Sequence, residues 1–261
     1  MASAQRLRRP RQGGGLFGNS YAIRWATADD FDGASFLFCR VIFRTSPYGD
    51  GNGWEVDYPR ADINLTFRLS ELTTTSVSRD GESFNHVVVR LTDPLLFHCP
   101  FIMMTEPGGA YFDDDEAKQL REYLLKGGFL WADDFWGEHA FQWWADEIGK
   151  ALPPHQFPIT DLMLDDPIFH VLYDVKRVIQ IPSLNFWAGP GSSTSERGRE
   201  SAIPHARAIR DERGRIMVVM THNTDFGDAF EREGDNHEYF LQFAPEGYAF
   251  GVNTIVWALT H

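Results

Sequence analysis

Three carboxylates stand where a parallel sheet would present them to a ligand. Glu106 follows the apolar run FIMMT, and Asp133 and Asp134 close the run GGFLWADD. In an open α/β sheet, ligands sit outside the carboxyl ends of the strands. Carboxylates gathered there raise one another's pKa, which suits acid–base chemistry, or they share a hard cation. The competing use of the same residues is structural, with Asp133 or Asp134 capping the next helix and Glu106 holding loop amides. His222, at the end of RIMVVMT, is the fourth catalytic candidate. Ligand-binding candidates surround these four: Glu106 and Asp134 again, with Gly108 after Glu106, Trp136 beyond the aspartates, Arg44 at the end of the segment 36–44, and Asn223 beside His222.

Two further groups carry oxygen or charge. Asp57, Arg60 and Asp62 flank a helix start, and helix opening accounts for them, although their loop emerges at the same sheet edge. The segment THNTDFGDAFEREGDNHE offers Asp225, Asp228, Asp235, Asn236, His237 and Glu238. Such a set suits a cation or a sugar but lacks the fixed spacing of an EF-hand, so a solvated acidic loop is expected, with His222 the member to keep. Gly108-Gly109 precede a helix without a Walker lysine or GxGxxG spacing, and its acidic first turn would repel phosphate. Trp136 and Trp187 are candidates for a sugar-stacking platform. There is no CxxC, HExxH or GxSxG, which removes the usual zinc and serine-hydrolase signatures.

The elements that position these residues follow from periodicity. A short strand is expected over 21–27 and a strand buried on both faces over 36–44. A helix is expected over 60–73, opened by Pro59, then strands over 86–91 and 100–105. The clearest helix is 113–126, with acids in its first turn and Ala117, Leu120, Tyr123 and Leu124 on one face. A strand over 128–133 and a helix over 138–150 follow. Strand, helix and strand within about 35 residues make the βαβ unit of a parallel sheet. Later expectations are a short helix from Pro167, a strand near 178–181, a surface loop near 189–201, a strand pair at 206–211 and 215–221, and a final helix over 246–259.

Composition narrows the class. The chain has 261 residues, 43% of them hydrophobic and 14% aromatic, enough for a sizeable core, and its net charge of −13 argues against nucleic acid as a partner. Residues 1–20 hold Arg6, Arg8, Arg9 and Arg11 with no acid, and are expected to be a flexible Gly-rich tail before a single α/β domain over 21–261. No apolar run approaches the ~18 residues of a membrane span. Cys39 and Cys99 sit in apolar runs and are expected to be buried free thiols, a single disulfide being the other option.

Three blocks now carry a resemblance. GGFLWADDFWG after DDDEAKQLREYLLKGG, the pair Asp166-Pro167, and the terminal GVNTIVWALT together resemble the bacterial domain-of-unknown-function family 4159, from about Tyr21 to the C-terminus. The resemblance implies a flavodoxin-like fold similar to class I glutamine amidotransferases, a mostly parallel sheet with helices on both faces. It also implies an exported or membrane-tethered bacterial protein, placed in the periplasm or cell envelope after loss of a signal peptide, with the cytoplasm as the alternative. An amidotransferase needs a cysteine at the strand-to-helix elbow, where this chain has Glu106, so that activity is not expected. The resulting expectation is a non-catalytic module that binds a polar small molecule or an envelope protein. The alternative is a carboxylate- or metal-dependent hydrolase acting on a carbohydrate-like substrate. No cofactor is expected, a divalent cation being the one option that the acids leave open.

Overall fold

The computed structural model describes residues 22–189 and 193–261. The expected N-terminal tail, Tyr21 and residues 190–192 lie outside the described residues.

The main sheet has seven strands: β1 (Phe38–Ile42), β2 (His86–Arg90), β3 (Phe101–Thr105), β4 (Phe129–Phe135), β5 (Ile159–Asp161), β6 (His205–Arg210) and β7 (Ile216–His222). Their order is β2-β1-β3-β4-β7-β6-β5. The first five run parallel, and β6 and β5 add an antiparallel edge. The parallel part therefore has the strand order of a flavodoxin-like sheet, whose crevice opens where the order reverses, between β1 and β3.

Alternation along the strands feeds two cores. Phe38, Phe101, Met103, Phe129 and Trp131 share a core with α1 (Arg60–Leu72), the short α4 (Leu184–Trp187), α5 (Phe226–Glu231) and α6 (His237–Thr260). Cys39, Val41, Ile102, Met104, Leu130 and Ala132 face α2 (Asp114–Leu125) and α3 (Gly137–Ala151). A sheet buried on both faces needs such continuous apolar strands. In β7 the alternation slips once. Its pairing with β6 shifts between Ile209↔Val218 and Arg210↔Ile216, and Met217 and Val218 both enter the second core. One extra residue in a strand does this. The predicted helix over 113–126 is α2, closed at its start by Asp113 and Glu116 in a reciprocal capping box.

Several expectations are corrected. Residues 22–27 form no strand; Trp25 makes a single bridge to Val88. Residues 178–181 are irregular, and the short edge strand β5 was not anticipated. The final helix starts at His237, not Glu246, because Asn236 caps it through the Tyr239 amide. It runs through Pro245, which cannot donate to the Leu241 carbonyl; Leu241 lies on the exposed side, where water can accept that role. In the described part of the loop near 189–201, residues 197–200 are exposed while its contacts tie it to the body: Ser201 is fully buried, Glu200 accepts the Glu138 amide, and Arg197 pairs with Asp50.

Cys39 and Cys99 form a disulfide instead of staying free thiols. Cys39 lies opposite Ile102 in the β1–β3 register, and the turn before β3 brings Cys99 back to a Cα separation of 6.1 Å. That spacing is within the range a disulfide spans. Among the described residues no helix is long and apolar enough to cross a membrane.

Candidate functional site: an acidic crevice at the carboxyl edge

Four adjacent parallel strands, β1, β3, β4 and β7, each lead into a polar residue held in left-handed backbone conformation. These are Asp57 (φ 63°) in the β1–α1 loop, Glu106 (φ 48°) after β3, Asp134 (φ 60°) in β4 and Asn223 (φ 60°) after β7. Non-glycine residues rarely adopt this conformation, and it costs on the order of 1–3 kcal/mol where it occurs.

Asp134 owes its conformation to the pairing of β4 with β7. Met220 pairs with Ala132 and His222 with Phe135, so Asp133 and Asp134 together oppose Thr221. This bulge at the rim of the sheet re-aims the two carboxylates. Asp133 is turned inward. Its Oδ1 accepts the Thr221 hydroxyl and its Oδ2 accepts the Gly227 amide at 2.9 Å. Asp134 does not cap the next helix; its Oδ1 accepts the Trp136 indole N–H at 2.9 Å. Both aspartates lie within β4, since the strand continues to Phe135.

Glu106 faces its own crevice wall. Its carboxylate accepts the amides of Asn52 and Gly53 and the Asn52 side-chain N–H. Gly51, at φ 137°, lets that loop approach: a Cβ there would lie 3.2 Å from the Glu106 Cβ. Burial pushes the Glu106 carboxyl up to about 6 although those donors oppose the shift.

Asp57, Asp225 and Asp228 form the centre of the acid cluster. Each offers a carboxylate oxygen, and the three lie within 4.8 Å of one another. All three are buried. Asp225 caps α5, its Oδ1 accepting the Asp228 amide at 2.6 Å. Asp228 accepts the Leu184 amide and the Arg232 guanidinium. Asp57 opens no helix: α1 has Pro59 at its cap position and no side-chain cap. Its Oδ2 is buried without a hydrogen-bond partner. The space it occupies exists because residue 227 is glycine; a Cβ on Gly227 would run into Asp57 Oδ2.

Electrostatics set this crevice apart. Burial first, then mutual repulsion, hold Asp57, Asp134 and Asp225 well above the usual carboxylate range. Burial pushes Asp133 to about 7. The nearby cations are already paired, one of them with a member of the cluster. Arg40 is fully buried beneath the crevice, pairs with Asp62 and donates to Thr105 Oγ1 at 2.6 Å. Arg232 serves Asp228, Glu231 and Asp235 at the rim.

The other expected residues have different places. His222 is buried, with Nδ1 at 3.1 Å from the Arg207 guanidinium and Nε2 at 2.9 Å from the Gly137 carbonyl. The guanidinium can only donate, so the ring presents its lone pair at Nδ1 and donates from Nε2. Burial lowers its pKa to about 4. With both nitrogens occupied, it is not a free base. Asn223 accepts the Gly137 amide and donates to the Ile203 carbonyl, bracing α3. Arg44 pairs with Asp113 and Glu116 at the start of α2, not with Glu106 or the crevice acids. Gly108 is a packing position: a Cβ there would sit 2.7 Å from the Ala140 Cβ. Trp136 is buried against Asp134, and Trp187 packs edge-on against Tyr239 and Phe243, so they make no joint platform. Asp225 and Asp228 are buried at α5 rather than solvated, whereas Gly234, Asp235, His237 and Glu238 are exposed at the turn between α5 and α6, where Asp235 pairs with Arg60.

Asp57 and the pair Asp225 and Asp228 are far apart in the sequence, with no local signal that joins them, and none marks Arg40 as the partner of Asp62. The visible signal was the glycine between two aspartates in TDFGD. A glycine inside a short helix costs stability unless something must approach it closely.

The fold and this crevice define an α/β protein of flavodoxin-like order with a carboxylate-lined carboxyl edge. The chain belongs to the family described as a domain of unknown function, DUF4159, whose model matches residues 42–259. No curated protein matches the chain.

Proposed function

We propose that this chain is a non-catalytic binding module of the bacterial cell envelope that takes a polar small molecule, or the polar end of a partner protein, in the carboxyl-edge crevice. The observation that carries the reading is the row of left-handed polar residues Asp57, Glu106, Asp134 and Asn223 on four neighbouring strands. Backbone strain of this kind persists where the surroundings over-determine a functional constellation. The crevice also lies at the switch point where this sheet order accepts ligands. Two facts speak against inherited amidotransferase chemistry. Glu106 stands at the elbow, and both cysteines of the chain are joined in the disulfide, leaving no thiolate. The same disulfide supports an oxidising compartment, in keeping with export.

The test is a thermal-shift screen of the intact chain with sugars, nucleotides and small polyols or acids, repeated on Glu106→Gln and Asp134→Asn. A ligand of this crevice raises the midpoint in the parent and loses that shift in at least one variant. A ligand shift that both variants retain in full would place binding elsewhere and sink the reading.

A second reading, a carboxylate- or metal-dependent hydrolase acting on a carbohydrate-like substrate, rests on Asp134. Its carboxyl is held well above the usual range by burial and its acidic neighbours, which is the direction a general acid needs. Asp133 and His222, with their polar atoms committed, do not add to it. Release of sugar from chromogenic glycosides that disappears in Asp134→Asn would support this reading over the first.

A further inference from the structure

We propose that Asp57, Asp225 and Asp228 form a site for one hard divalent cation, Ca2+ in preference to Mg2+. This names a specific component of the crevice and rests on the binding reading only for its purpose, not for its existence. The trio alone would be no more than an acid cluster. What points to an ion is Asp57 Oδ2, a carboxylate oxygen buried with no hydrogen-bond partner on a side chain 6% exposed. A buried polar atom left unsatisfied costs about 1–3 kcal/mol, more when charged, and native proteins rarely tolerate it without a missing partner. Donors could have been supplied here, since α5 brings the Gly227 amide alongside. That amide instead serves Asp133. Gly227 lacks a side chain at the point where one would collide with Asp57 Oδ2, so the oxygen's position is built in.

The remaining ligand capacity agrees. Asp225 commits Oδ1 to the Asp228 amide, and its Oδ2 makes no hydrogen bond among the described residues. The Asp228 oxygens each accept one hydrogen bond, from the Leu184 amide and from Arg232, which orients the carboxylate and leaves further lone pairs. Charge agrees for two of the three: Arg232 bonds Asp228 from the rim and Arg40 is held by Asp62, so Asp57 and Asp225 have no ion-pair partner among the described residues. The ligand set selects the ion. Three protein carboxylate oxygens within 4.8 Å of one another can share one cation. Ca2+ takes protein oxygens in number, whereas Mg2+ keeps several of its waters and is usually held by one or two carboxylates. Three carboxylates leave further coordination positions to water or to a polar ligand, which links the ion to the crevice.

The experiment is calorimetric titration of the intact chain, stripped with a chelator, using CaCl2 and then MgCl2, alongside thermal midpoints. The expected result is one Ca2+ per chain, weaker Mg2+ binding and a rise in midpoint with Ca2+. Asp57→Asn and Asp225→Asn should each weaken Ca2+ by about 100-fold or more, as loss of a direct ligand exceeds the 10–100-fold typical of outer partners. Asp161→Asn, an exposed acid on β5, should leave the response intact. Because both test substitutions are isosteric, near-ultraviolet circular dichroism of the parent kind separates a lost ligand from a lost fold. Absence of Ca2+ binding at millimolar concentration, or binding that survives both substitutions, overturns the proposal. Ca2+ binding without any response to polar ligands would uphold the ion site while the binding reading fails. A polar-ligand response without Ca2+ binding would do the reverse.

Discussion

Asp57 and Asp62 leave the same loop-to-helix junction and are both buried, yet the protein neutralises only one of them. Asp62 lies on α1 against Arg40, whose guanidinium bonds it through Nε and Nη2 and fills its remaining donor at Nη1 with Thr105 and the Val56 carbonyl. Every polar atom of that pair has a partner. Asp57 looks the other way, toward Asp225 and Asp228, and its Oδ2 has none. A buried charge is tolerable when paired and hydrogen-bonded and costly when it is not. The pair therefore serves the fold, fastening β1 to α1 under the crevice. The unpaired acid marks a place whose partner comes from outside the chain or which is held protonated.

Breaking the satisfied side of this comparison should have the largest effect. Arg40→Met keeps the length of the side chain but strands Asp62 in a dry site, where removal of one partner typically costs about 3–5 kcal/mol. Urea unfolding should show that loss at neutral pH. A change under about 1 kcal/mol, the size of an ordinary exposed ion pair, would mean that the pair is not the fastening it looks like, and the contrast with Asp57 would lose its basis.

The unsatisfied side should show itself through pH. Asp133 and Glu106 ionise near 4 in the unfolded chain but near 7 and 6 in the fold, because burial favours the neutral acid. Between those values the fold holds protons that the unfolded chain has lost. The stabilisation is therefore complete below about pH 4 and disappears as pH rises through 6 and 7. From pH 5.5 to 8 these two acids should cost the chelator-stripped chain about 2–3 kcal/mol, since each tenfold difference in proton affinity between fold and unfolded chain is worth about 1.4 kcal/mol. His222, which burial holds near 4 in the fold, gives back about 1 kcal/mol over the same range, so a net decline remains. Asp133→Asn, which can still accept the Gly227 amide, should flatten the upper part of the decline. A profile that stays level from 5.5 to 8 in both proteins would show that these acids are not kept neutral by burial.

The legibility of the two acids differed for a physical reason. The parallel βαβ unit, the helix 113–126 and the edge carrying Glu106, Asp133 and Asp134 could be read from apolar runs and capping acids, because those signals are local. The role of Asp133 could not, since it depends on Thr221 and Gly227, which the chain reaches some ninety residues later. His222 looked free for the same reason: Arg207 and the Gly137 carbonyl, which occupy its ring, come from separate elements. The trio of Asp57, Asp225 and Asp228 depends on α1 and α5 lying together, a packing that no spacing within either segment encodes. Arg40 was hidden by its setting, a lone charge in a strand expected to be buried on both faces, because its partner Asp62 lies on the following helix.

The smallest effect should come from neutralising Asp57 itself. Asp57→Asn removes a carboxyl that burial and the neighbouring acids already hold well above its usual range. At pH 7.5, without added cation, the amide replaces a group that the fold must either protonate or leave charged and unpaired. It also brings an N–H donor beside the Asp225 and Asp228 carboxylates. The variant should match the parent or gain up to about 1 kcal/mol in urea unfolding, within the range of a single net hydrogen bond. Asp62→Asn, measured alongside, should lose stability, since Arg40 would keep its charge in a dry site with no counter-charge. Opposite signs for two aspartate-to-asparagine changes at one junction separate a structural acid from one reserved for a ligand. If Asp57→Asn instead costs as much as Asp62→Asn, then Asp57 is serving the fold as well, and the case for an ion at this position rests on titration alone.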